Sequence, residues 1–247
     1  MSLSEEYRRQ LKWRDWETAF DHCPISKGQR VLDLGCGPGD LSKILVQRGA
    51  VVTGIDSNKQ LLEIARNNCP EASFLEMNLN SMQVEAHSYD GIWCSFSAAY
   101  FTNFKDTFFS WQKALNTKSW ACFTEIDDLF GHIPLSKKSQ DRLVEFYNQS
   151  FFAGRYDFRS GHKIESTLRD CGFKVTTKLL KDKELSFDGP ATQEVLTAWA
   201  ERLNRMQSLK LFFGNDFDAF KEELLKCLSE VNHNSNCKVF CSVGIRN

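Results

Sequence analysis

The stretch Val31-Leu32-Asp33-Leu34-Gly35-Cys36-Gly37-Pro38-Gly39-Asp40-Leu41 decides how the rest of the chain is read. Val31 to Leu34 form a short apolar run after the turn-like Lys27-Gly28-Gln29-Arg30, the pattern of a buried strand. Alternating glycines follow, and then a helical pattern through Leu41, Ile44 and Leu45 that stops at Gly49. A strand that becomes a helix through alternating glycines lets backbone approach a ligand closely, because no side chain intervenes. The stretch is therefore a nucleotide-type binding turn. A dinucleotide fingerprint would place Gly or Ala at position 40 and offer bare N–H groups to a pyrophosphate. Asp40 stands there instead, and its carboxylate would occupy or repel that anion site. An NAD(P)-dependent oxidoreductase is accordingly the weaker enzymatic alternative.

Working outward, Ala50 to Asp56 read as a second strand that ends on an acid. Asp56 follows the glycine turn at about the twenty-residue spacing of a ribose-binding acid in a βαβ unit. Its carboxylate could accept both hydroxyls of a ribose diol. The run Gln60 to Asn68 predicts a helix that Cys69-Pro70 ends, and Ser73 to Met77 a third strand with Asn78-Leu79 after it. Ser88 to Cys94 predict the fourth strand, weakened by Gly91. A helix over 104–116, a strand over 120–126, a helix over 137–151 and a strand over 172–180 continue the alternation. Strand-helix alternation of this kind predicts an α/β fold with a mostly parallel sheet.

The same residues resemble the class I S-adenosylmethionine-dependent methyltransferases. The likeness rests on Asp33 followed by Gly35-x-Gly37-x-Gly39, on Asp56, and on Tyr89-Asp90 at the entry to the fourth strand. It covers residues of about 30–180. It implies a Rossmann-like, seven-stranded, mostly parallel sheet with helices on both faces and an antiparallel last strand, here 238–245, at the sheet edge. It further implies that Asp33, Gly35, Cys36, Gly37, Gly39, Asp56, Ser57, Asn78, Leu79 and Cys94 hold S-adenosyl-L-methionine, with no metal. Asn78 would stand beside the adenine amino group, where Asp is more usual. The loop 94–101 would lie under the sulfonium, with Tyr100 where many relatives carry a histidine. Tyr100, His132 and His162 are the candidates for a base, each with an ordinary packing or surface role as its alternative. Glu125, Asp127 and Asp128 at the fifth strand's end are candidate substrate contacts.

Two segments lie outside the resemblance. Residues 4–20 read as one amphipathic helix, either packed on the domain or a lid through Tyr7, Trp13 or Trp16. Residues 184–231 add a helix through Val195, Trp199, Leu203, Met206 and Phe213 and another through Phe217 to Val231. Arg202 and Arg205 near Trp199 could hold a carboxylate, against the commoner reading of a solvated face. The expected organisation is one domain: a cap over 1–25, a cofactor-binding core over 26–183, a helical insertion or lid over 184–232 and a closing strand over 233–247.

Composition narrows the partners. The net charge is −1 over 247 residues, so no global field recruits nucleic acid or anionic membrane. There is no apolar run of spanning length and no signal-peptide layout, and the nine scattered cysteines read as reduced thiols, which together predict a cytoplasmic protein. Neither an Asp/Asn-Pro-Pro-Tyr tetrapeptide nor a Pro-Cys nucleophile is present, so base methylation of nucleic acid is not expected; Cys237 and Cys241 bring no second pair for zinc. The expected activity is methyl transfer to a small-molecule acceptor. A cofactor-binding protein without transferase activity is the alternative from another class. The acceptor and the oligomeric state are not legible.

Overall fold

The computed structural model describes residues 3–246. Nine strands run in chain order as β1 (Arg30–Leu34), β2 (Val51–Asp56), β3 (Ser73–Glu76), β4 (Tyr89–Ser95), β5 (Leu115–Asp127), β6 (His132–Ile133), β7 (Lys174–Leu180), β8 (Asn234–Ser235) and β9 (Lys238–Arg246). Seven of them form one sheet in the order β3-β2-β1-β4-β5-β9-β7, while β6 and β8 pair as a small ribbon. Strands β3 through β5 are parallel neighbours, and β9 runs antiparallel to both β5 and β7. The closing strand is thus antiparallel, and it is slotted inside β7, which takes the edge.

The helices are α1 (Leu3–Trp13), α2 (Trp16–His22), α3 (Asp40–Gln47), α4 (Lys59–Asn68), α5 (Phe104–Trp111), α6 (Lys137–Phe152), α7 (Ile164–Asp170), α8 (Gln193–Arg205), α9 (Gln207–Phe213) and α10 (Phe217–Ser229). Alternation along β1 sends Val31 to a cluster with Phe20, Leu45, Trp93 and Trp199, and Leu32 and Leu34 to the opposite cluster with Phe108, Trp111 and Leu168. Both faces of the sheet are covered, as a parallel sheet requires.

Three elements differ from the sequence reading. The expected N-terminal helix is two helices, because Asp15 accepts from Thr18 N at 3.2 Å and caps α2, while Asp15 N donates to Lys181 O at 2.9 Å. The expected helix through Phe213 breaks at Met206, whose ψ of 79° is not helical. The fifth strand begins five residues early, at Leu115 opposite Tyr89. Gly91 has a packing reason: a Cβ there would stand 2.2 Å from Trp120 Cε2. Gly91→Ala is expected to cost about 1–3 kcal/mol through overpacking, read as a lower denaturant midpoint at unchanged m-value.

Candidate active site

The glycine turn is tied down before it can serve a ligand. Gly35 N and Cys36 N both donate to Ile55 O, at 2.8 and 3.1 Å, which clamps the exit of β1 to the exit of β2. Gly35 and Gly37 have φ of 72° and 52°, in the left-handed region that suits glycine. A Cβ on Gly35 would meet Ser97 Oγ at 2.0 Å, whereas one on Gly37 would meet only the Tyr7 ring at 3.7 Å. The two glycines therefore differ in purpose: one admits the β4 loop, the other keeps backbone open beneath α1. Asp56 closes the turn, accepting from Gly37 N at 2.9 Å through Oδ2 and from Asn58 N at 2.8 Å through Oδ1.

These residues form one end of a cavity of about 640 Å³. Its walls come from Gly35 to Pro38, from Asp56 to Asn58, from Met77 to Asn80 after β3, and from Ser95, Phe96 and Ser97 after β4. Helix α1 roofs it with Glu6, Tyr7, Gln10 and Leu11, and Arg14, Ile126, Tyr156, Leu185 and Arg202 are among its other walls. Phe96 is held at φ 56°, a cost for a bulky residue. Its N–H donates to Thr124 O at 2.8 Å, the Arg14 guanidinium lies 4.1 Å above its ring, and Trp16 meets it edge-on at 5.9 Å. That packing fixes the backbone of the loop facing the glycines.

Of the residues singled out from sequence, Gly35, Cys36, Gly37, Asp56, Ser57, Asn78, Leu79 and Tyr100 line this cavity, and Asp33, Gly39 and Cys94 do not. Asp33 is buried and accepts from Ser42 Oγ at 2.5 Å, so it braces α3 against β1. Gly39 lets the turn pack on α4, where its Cβ would stand 3.0 Å from that of Ala65. Cys94 is buried inside β4. Asn78 Oδ1 accepts from Asn80 N at 2.9 Å and retains a second lone pair. Tyr100 is 62% exposed overall, yet desolvation of its hydroxyl, and then the charge of Glu125, raise that hydroxyl above its ordinary pKa, so it stays a donor rather than a base.

His132 and His162 lie away from the cavity. His132 is buried with Nδ1 at 3.0 Å from Nε2 of His233, whose Nδ1 faces Gly189 O at 3.0 Å. Burial, then the neighbouring His233, lower its pKa to about 3, so the pair is neutral and pins the β6–β8 ribbon. His162 is exposed on Asp127 Oδ1 at 2.6 Å. Asp127 and Asp128 are not cavity residues either, and Glu125 lies beneath the loop after β4, accepting from Ala99 N at 3.1 Å and Ile126 N at 2.9 Å. Only Ile126 from the end of β5 reaches the cavity.

Asp33 and Glu125 share an electrostatic signature: burial raises both carboxyls to about 7. A folded-state pKa above the unfolded value means that protonated carboxyl stabilises the fold fully below the unfolded pKa, and that this contribution is lost as pH rises through about 7. Asp33→Asn, which can keep the Ser42 contact, is expected to gain on the parent protein steadily between about pH 4 and pH 7. Urea titrations of both proteins across that range check it; a constant difference would refute it.

Glu6, Gln10 and Arg14 reach the cavity without having been singled out from sequence, and Phe96 reaches it from the loop 94–101. Arg202 was singled out, and its surroundings overturn the solvated-face alternative: its side chain is only 15% exposed, and its Nη2 donates to the buried Glu184 Oε1 at 2.6 Å. Arg205 instead pairs with Glu6 at the roof. Among the described residues no helix is long and apolar enough to cross a membrane, no His/Cys/Asp/Glu cluster suits a metal ion, and all nine cysteines are free thiols.

Comparison with known proteins bears on this site. Residues 31–118 match a family described as a methyltransferase domain. Over 53 residues, 21% of this chain, the sequence is 47% identical to trans-aconitate 2-methyltransferase of Delftia acidovorans and covers 20% of that protein. Over 73 residues, 28% of this chain, it is 40% identical to ubiquinone biosynthesis O-methyltransferase of Coxiella burnetii and covers 31% of it. The chain thus spans under a third of the length of these curated relatives. In structure, 94% of the chain superposes on 52% of a Haemonchus contortus phosphoethanolamine N-methyltransferase solved with phosphomonomethylethanolamine and S-adenosylhomocysteine, at a TM-score of 0.57 and 18% identity.

Proposed function

We propose, from the methyltransferase-domain match over residues 31–118, that this chain transfers the methyl group of S-adenosyl-L-methionine to a small-molecule acceptor. The observation that carries the reading is one cavity in which the glycine turn and Asp56 share walls with polar and aromatic groups of the cap and of the helical insertion. Its volume suits a nucleoside together with a compact acceptor. Its chemistry fits this cofactor better than a dinucleotide. Asp40 lines the cavity at the turn, where its carboxylate would repel a pyrophosphate, and its Oδ1 accepts from Asn68 Nδ2 at 2.8 Å.

When bound, S-adenosyl-L-methionine supplies an electrophilic methyl on a sulfonium, whose bond to sulfur breaks as the bond to the acceptor forms and whose sulfur leaves as neutral thioether. The chain's own part is mainly placement. Asp56 would take the ribose hydroxyls, Asn78 the adenine edge, and Gly35 and Gly37 the close backbone contacts. Tyr100 and Tyr156, whose rings meet edge-on at 5.0 Å, would orient the acceptor with hydroxyls that stay protonated. Orientation of that kind is worth up to about 7–11 kcal/mol of barrier, so a dedicated base is not required of an acceptor that arrives deprotonated.

A thermal-shift comparison tests the cofactor. S-adenosylhomocysteine at about 100 times its dissociation constant should stabilise the protein by about 2.7 kcal/mol, and NAD⁺ and NADP⁺ should not. A response to a dinucleotide alone would reverse the assignment. Methyl-labelled donor incubated with a metabolite extract then tests transfer, and a labelled small molecule is the expected product. If no extract yields one, the chain binds cofactor without turning it over.

A further inference from the structure

Two arginines on one wall of the cavity have more donors than the protein uses. Arg14 is 7% exposed, and its Nε donates to Asp182 Oδ2 at 2.6 Å. Its guanidinium is stacked on Phe96, yet among the described residues neither terminal nitrogen has a hydrogen-bond partner. Arg202 sends Nη2 and Nε to the same Glu184 oxygen, at 2.6 and 3.3 Å, which leaves Nη1 over. Both side chains line the cavity, and both are anchored to one short segment, 182–184. A guanidinium nitrogen only donates, so whatever meets these edges from the cavity must be an acceptor.

We infer that the methyl acceptor carries a carboxylate, received between Arg14 and Arg202; the inference rests on the transfer reading above. The residues around the two arginines favour this over a neutral carbonyl. Asp182 and Glu184 hold each guanidinium from behind, so the free N–H edges are fixed in direction before a ligand arrives, and a carboxylate can accept from two such edges at once. Glu6, the other acid on this part of the wall, pairs with Arg205 and accepts from Gln10 Nε2 at 3.2 Å, so its charge acts on Arg202 while its oxygens hydrogen-bond elsewhere. Ile126, Leu185, Tyr100 and Tyr156 complete the surroundings, which calls for a compact, partly apolar body attached to that carboxylate.

The test uses the full chain saturated with S-adenosylhomocysteine and titrated calorimetrically with benzoate, 4-hydroxybenzoate and hexanoate, each against its primary amide. At least one acid should bind about tenfold or more tightly than its amide. Because removing an arginine alone strands a buried carboxylate, the variants are neutral pairs: Arg14→Gln with Asp182→Asn, and Arg202→Gln with Glu184→Gln. Each pair should abolish the preference for the acid, and the Arg202–Glu184 pair, which does not touch Phe96, should leave the affinity for S-adenosylhomocysteine within about twofold. Absence of acid binding at millimolar concentration, equal binding of acid and amide, or a preference that survives in both pairs would overturn the inference. Failure of S-adenosylhomocysteine to bind the parent protein would instead overturn the transfer reading, so the two failures are distinguishable.

Discussion

Arg14→Ala is expected to destabilise the protein by about 3–5 kcal/mol, the cost of breaking a buried ion pair from one side. Both side chains of the Arg14–Asp182 pair are almost wholly excluded from solvent, at 3% and 1% exposure. Asp182 would remain charged with only the backbone N–H groups of Glu184 and Leu185 on its other oxygen, at 2.8 and 2.9 Å. The substitution also removes the cation stacked on Phe96, worth up to about 2 kcal/mol when desolvated, from a residue whose positive φ needs support. Denaturant titration should therefore show a much lower midpoint. Adding Asp182→Asn should recover a large part of the loss, because the uncompensated charge goes with it. A loss under about 1 kcal/mol, or no recovery in the double variant, would mean that water reaches Asp182 and that the pair is not buried in solution.

The same pair marks the boundary of what the sequence can say. The glycine turn, Asp56 and the strand alternation are local signals: φ at Gly35 and Gly37, a carboxylate at a strand end, apolar periodicity. Each depends on residues within one βαβ unit, and each is where the spacing predicted. Arg14 meets Asp182 across 168 positions, and Arg202 meets Glu184 from a helix outside the family pattern. No periodicity encodes such pairings, because each half looks like an ordinary surface charge until the chain has folded. One local signal was readable. Asp15 followed three residues later by Thr18 is an N-cap pattern, and it would have divided the N-terminal helix and set Arg14 in the bend between α1 and α2. His132 failed as a base candidate for the converse reason. A histidine just beyond a sheet's carboxyl edge looks catalytic, but only the fold reveals His233 beside it and the apolar surroundings that hold both neutral.

Asp56→Ala is expected to weaken binding of S-adenosylhomocysteine by roughly 10–150-fold, the equivalent of about 1.5–3 kcal/mol for lost charge-assisted hydrogen bonds. Two effects act together. The carboxylate would no longer receive the ribose hydroxyls, and Gly37 N and Asn58 N would lose the acceptor that now fixes the turn. Asp56→Asn separates them. Its amide oxygen can still accept from one of those N–H groups, so the turn keeps part of its brace, but the charge is gone and one oxygen has become a donor. If ribose recognition dominates, the Asn variant should bind nearly as weakly as the Ala variant; if bracing dominates, it should fall close to the parent protein. Stability should change little in either case, because Asp56 is only half-buried and water can replace its partners. Calorimetry on all three proteins decides the matter, and unchanged affinity in the Ala variant would place the ribose elsewhere in the cavity and remove Asp56 from the cofactor site.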